Sequence, residues 1–104
     1  MRTINIDKNI IADDLFQYLQ KRLNVLFHIQ RQSNINFDLV KTGQEIEINQ
    51  PELYEGFLFR LRVNGNSLSI TRSEHYVDDV NVLTLESILD GLFVDYLGAT
   101  APQI

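Results

Sequence analysis

Between residues 25 and 71 apolar and polar side chains alternate in five separate runs, and this period of two restricts the fold more than any other feature of the chain. Successive side chains of a strand point to opposite faces, so alternation marks strands with one dry side and one wet side. The runs cover residues 25–30, 35–40, 45–49, 57–63 and 67–71. Val25, Phe27 and Ile29 head the first dry side. Ile35, Phe37 and Leu39 follow, then Ile46 and Ile48, then Phe57, Phe59, Leu61 and Val63, and finally Leu68 and Ile70.

Turn chemistry separates the runs. Asn64-Gly65-Asn66 suits a hairpin, because a primed turn needs positive φ at its centre. Lys41-Thr42-Gly43-Gln44 suits a second short connection, and Gln32-Ser33-Asn34 a third. Asn49-Gln50-Pro51-Glu52 reads as a longer turn, with Gly56 at the position of a bulge.

Outside this region the period changes. Ile11, Leu15, Leu19 and Leu23 recur every four residues, with Ala12 and Phe16 beside them, which predicts a helix over 9–23. Asp13 and Asp14 in its first turn and Lys21 and Arg22 in its last suit the helix dipole, and Asn24 suits its C-terminal stop. Leu85, Ile88, Leu89, Leu92, Phe93, Tyr96 and Leu97 predict a second helix over 85–97, capped by Thr84 and stopped by Gly98. Gly91 inside it implies close packing against the sheet. Residues 2–6 suit a short edge strand, 76–82 an irregular one, and 98–104 a flexible tail.

The expected fold is therefore α+β: a five-stranded antiparallel meander with an N-terminal and a C-terminal helix packed on one face. At 104 residues the chain makes one domain, residues 1–104. Phe37, Phe59, Leu61, Ile70, Leu19 and Leu89 form the expected core.

Register extends the expectation to the other face, because a one-residue slip would send every core side chain outward. Pairing Val40 with Glu45, Arg31 with Ile35, Ile48 with Phe57 and Leu61 with Leu68 brings core residues together. The opposite face would then carry a row of Leu26, Val40, Glu45, Arg60 and Ser69. A second row would be His28, Asp38, Glu47, Leu58 and Thr71, and Arg62 and Ser67 would lie on the far side of the first row.

Composition removes several functions. The chain has no cysteine, which excludes disulfides and thiolate chemistry and suits a reducing compartment. A net charge of −5 works against nucleic acid and favours basic partners. The apolar runs fall short of the roughly 20 residues of a membrane helix, and the N-terminus lacks the apolar core of a signal peptide. The expected location is cytoplasmic.

Three constellations carry possible chemistry. On the inferred register, His28, Asp38 and Glu47 would meet, as a metal site or as an acid–base group that raises the histidine pKa. A solvated histidine easing repulsion between two carboxylates is the plainer explanation. His75 lies between Ser73 and the acids Asp78 and Asp79, but no nucleophile elbow or calcium loop accompanies it. Arg60, Arg62 and Arg72 form a basic strip, yet the rings of Phe57 and Phe59 would point the other way, so bases could not stack beside those charges. Pairing of Arg60 with Glu45 accounts for the strip. Leu26, Val40 and Leu58, with Tyr54 near, would leave aliphatic surface beside Glu45, Arg60 and Arg62, a composition that suits a protein interface. The expected function is a protein-binding module of adaptor, inhibitor or immunity type. It would need no cofactor, and its partner would be another protein or a second copy. The rival is a small metal-dependent or acid–base enzyme using His28, Asp38 and Glu47.

Overall fold

The computed structural model describes residues 2–97. It is an α+β fold with five antiparallel strands in one sheet and two helices. In chain order these are β1 (Arg2–Asn5), α1 (Ala12–Arg31), β2 (Asp38–Thr42), β3 (Glu45–Asn49), β4 (Phe57–Asn64), β5 (Ser67–Arg72) and α2 (Val80–Leu97). The sheet order is β1-β5-β4-β3-β2. Strands β2 to β5 form a meander, and the N-terminal strand closes it at the β5 edge. The expected tail, 98–104, and the Gly98 stop lie outside the described residues.

The run 25–30 is not a strand. It forms the last turns of α1, which continues to Arg31 and ends on Gln32 in the left-handed conformation, φ 49°. The row of four-residue steps explains this: Leu15, Leu19 and Leu23 continue into Phe27, and all four are buried. Val25 and Ile29, expected in the core, are 56% and 67% exposed. The fifth strand is β1 instead. Helix α2 also starts earlier than expected. Asp79, not Thr84, caps it, its Oδ1 accepting from the backbone N–H groups of Asn81 at 2.8 Å and Val82 at 3.1 Å. Residues 75–78 form a turn and α2 begins at Val80, so no sixth strand arises over 76–82.

Both turns with central glycine are tighter than expected. Thr42 pairs with Glu45 and Asn64 with Ser67, leaving two-residue loops whose first residues, Gly43 and Gly65, have φ of 60° and 63°. The register is consequently displaced by two residues from the expected one. Val40 faces Glu47, Ile48 faces Phe59, and Leu61 faces Ile70. An even displacement preserves the faces.

One odd displacement intervenes. Between Ile48 and Asn49 the ladder shifts, so that Ile48 opposes Phe59 while Asn49 opposes Phe57. Leu58 is the extra residue of a bulge. Its side chain is 0% exposed, whereas Phe57 is half-buried.

Residues opposite one another share a face, so the ladder defines the two sides. One row reads Arg2, Ile70, Leu61, Ile46, Lys41, and the next Arg72, Phe59, Ile48, Leu39. The charged members of these rows reach the helices: Lys41 to Asp13 of α1 at 2.8 Å, Arg72 to Glu86 of α2 at 2.9 Å, and Arg2 to Asp90 of α2. Both helices therefore lie on this side, around a core that includes Phe59, Phe93, Leu19 and Leu89. Gly91 does not pack on the sheet; it is exposed, and a Cβ there would meet nothing within 4 Å. Neither helix is long and apolar enough to cross a membrane.

Candidate binding face and its adjoining cleft

The side of the sheet turned away from the helices carries three rows. Thr3, Ser69, Arg62, Glu45 and Thr42 form one; Thr71, Arg60, Glu47 and Val40 the next; Phe57, Asn49 and Asp38 the third. Alternation in β3 and β4 places glutamates on one strand opposite arginines on the other, which is why this face reads as polar in the sequence.

Arg60 is its most constrained member. Its Nε and Nη2 donate to Oε2 of Glu47 at 3.0 and 2.8 Å, and Nε lies 3.1 Å from Oε1 of Glu45. Its guanidinium carbon stands 4.1 Å from the centre of the Phe57 ring. Two carboxylates and an aromatic face thus hold one guanidinium on an otherwise mobile stem. Val40, 50% exposed, adjoins Glu47. At the bulge, Oδ1 of Asn49 is buried and has no hydrogen-bond partner among the described residues.

Four of the six residues expected on this face are there: Val40, Glu45, Arg60 and Arg62. Leu58 is not, because the bulge turns it into the core. Leu26 is not, because it belongs to α1 on the far side of the sheet. Phe57 takes the place assigned to Leu58. A displaced parity at Gly56 was the available signal, and a glycine alone does not say which way a bulge turns its neighbours.

The trio of His28, Asp38 and Glu47 does not assemble. His28 lies on α1, with Nε2 2.8 Å from the carbonyl oxygen of Ile35. Asp38 and Glu47 are on the opposite side of the sheet, and Glu47 is engaged by Arg60. Among the described residues no three histidines or carboxylates are grouped as metal ligands. His28 instead acts with Asn24, one turn earlier. Asn24 donates to the Phe37 carbonyl at 3.0 Å and accepts from the Phe37 N–H at 2.7 Å. Gln50 holds the same segment from the other side, donating to the Asn36 carbonyl at 2.7 Å. These side chains replace the ladder that the expected strand 35–40 would have formed before residue 38.

Where β4 begins and β5 ends, the open face runs into a cleft of about 590 Å³. Phe57, Thr71, Arg72, Glu55, Glu74 and Tyr76 line it, together with Gly56, Ser73 and His75. Aromatic and polar contacts tie the two loops that build it. Tyr54 and Tyr76 meet edge to face at 4.8 Å, the Tyr76 hydroxyl accepts from the Glu55 N–H at 2.8 Å, and the Tyr54 hydroxyl donates to Asp79 at 2.9 Å. Burial, and then the neighbouring Asp79, push the Tyr54 phenol above its ordinary value. Ser73 is buried, and its hydroxyl accepts the backbone N–H of His75 at 3.3 Å. The arrangement offers walls and charges for binding rather than an activated nucleophile.

Protein-family models, curated proteins and solved structures were all compared with this chain, and none matches it.

Proposed function

We propose that this chain is a protein-binding module acting through the open face of its sheet. The observation that carries the reading is Arg60, fixed by Glu45, Glu47 and Phe57 on a face that neither helix covers, beside the exposed Val40. A pre-oriented arginine flanked by aromatic and aliphatic surface has the composition of an interface centre, and its ordering entropy is already spent before a partner arrives. The partner is another protein or a second copy of the chain, and the role is that of an adaptor, inhibitor or immunity-type protein. The cysteine-free composition suits work in the cytoplasm.

The test uses the intact chain immobilised and exposed to native lysate, with light scattering to detect self-association. The expected result is capture of a discrete partner, or a dimer, that Val40→Asp and Arg60→Gln each weaken by roughly tenfold or more while the melting temperature stays close to that of the unsubstituted chain. Binding indifferent to both substitutions would overturn the reading.

A further inference from the structure

We propose that the cleft beside Phe57 receives an arginine side chain of a basic partner. This rests on the protein-binding reading above and specifies the partner's chemistry. The cleft is large enough, at about 590 Å³, to fall within the roughly 300–1,000 Å³ typical of ligand sites.

Its walls select for a cation. Phe57 and Tyr76 present rings, and Phe57 already accepts one guanidinium, that of Arg60, at 4.1 Å. Cation–π attraction strengthens where water is excluded, so a ring lining a cleft is a better seat than one on a flat surface. The Tyr76 ring is held in place by Tyr54 and by the Glu55 N–H, so the wall is rigid before binding.

The charges agree. The loops 50–56 and 73–79 hold Glu52, Glu55, Glu74, Asp78 and Asp79 and contain no lysine or arginine. Glu55 and Glu74, at the cleft itself, make no ion pair among the described residues, while Arg72, which also lines it, is paired with Glu86 at 2.9 Å. Arginine supplies donors only, in a planar fork that stacks on rings and bridges carboxylates. The net charge of −5 adds long-range attraction for a basic partner. An anion would meet Glu55 and Glu74, with Arg72 already paired to Glu86.

The experiment titrates the isotope-labelled intact chain with a short glycine peptide bearing three arginines, read residue by residue by NMR. The expected shifts concentrate at Gly56, Phe57, Thr71, His75 and Tyr76. The double variant Glu55→Gln/Glu74→Gln should raise the Kd tenfold or more with the melting temperature unchanged, and Phe57→Leu should raise it while leaving both carboxylates in place. The same peptide with glutamates for arginines, or inorganic phosphate, should leave the cleft signals still. Shifts scattered over Asp13, Asp14 and Asp95, a Kd unchanged in the double variant, or glutamate-peptide or phosphate binding at the cleft would each overturn the inference. Val40→Asp separates it from the underlying reading. If that variant abolishes partner capture yet the arginine peptide leaves the cleft signals still, the face binds protein and the cleft proposal alone fails. If the peptide occupies the cleft while Val40→Asp and Arg60→Gln leave capture intact, the face reading fails instead.

Discussion

Leu58 occupies the extra position of a bulge, pressed into the core, while Val40 two strands away stands in water. The two aliphatic residues should therefore answer truncation differently. Leu58→Ala is expected to cost about 2–5 kcal/mol, through lost burial and the cavity left behind. Val40→Ala should stay within about 0.5 kcal/mol. Urea unfolding measures both, and equal effects would mean that Leu58 does not face inward. A second residue-scale test falls on Gly65. Nothing lies within 4 Å of a Cβ built there, so the cost of Gly65→Val comes from its φ of 63° alone. That cost is expected to be of order 1–3 kcal/mol, because a β-branched residue is strained in the left-handed region. A melting temperature equal to that of the unsubstituted chain would show that the hairpin can rearrange around valine. At this scale the sequence was legible wherever alternation ran unbroken. The faces of β3, β5 and residues 59–63 of β4 follow from parity, whereas Arg60 faces Glu47 and meets the expected Glu45 only diagonally. Leu58 and Phe57 were misplaced because a single inserted residue reverses parity, and the insertion is fixed by how β3 and β4 fit together.

At the scale of elements, the stretch after Asn24 shows where pattern reading is ambiguous. Residues four apart share a face in a helix and also in a strand, since four is both about one helical turn and an even number. Leu23 with Phe27 and Val25 with Ile29 thus satisfy either structure. Only the two-residue step distinguishes them. A strand would bury Val25, Phe27 and Ile29 together, and the protein buries Phe27 alone. The two extra helical turns carry Asn24 and His28 to the returning segment, where they bind the backbone of Phe37 and Ile35. Asn24→Ala should strand both polar groups of the buried Phe37 and cost about 1–3 kcal/mol. Hydrogen exchange checks the assignment directly: the Phe37 amide should lose protection in the variant, and unchanged protection would contradict the clasp. The ends of the elements were less readable than their middles. Asp79 lies in a polar stretch with several possible caps, and its choice depends on Tyr54 meeting it from a distant loop.

At the scale of the whole molecule, alkaline stability should follow the tyrosines. Burial, and then Asp79, keep the Tyr54 phenol protonated above its ordinary value of 10.0; burial and then Asp14 act in the same direction on Tyr96. A group whose folded pKa exceeds its unfolded pKa stabilises the fold below the unfolded value and loses that contribution as pH rises through the folded one. Unfolding free energy is therefore expected to fall above about pH 10, and less steeply in Tyr54→Phe. Denaturant titrations at a series of alkaline pH values test this; identical slopes in the two proteins would remove Tyr54 from the account.

Strand β1 has a consequence in time as well as in space. It pairs with β5, and the Asn5 side chain meets Ser67, 62 residues further along the chain. Arg2 reaches further still, to Asp90, 88 residues away. During synthesis β1 thus leaves the ribosome well before the strand it pairs with, and it is one of the last elements to find its place. Helix α1 and the β2–β3 hairpin are built from neighbours and can form early, whereas the β5 edge closes only when most of the chain is available. Until then β5 has an unpaired edge. An N-terminal strand that arrives late acts as the lid on that edge, and the interval before it docks is when the nascent protein is most open to pairing with the wrong chain.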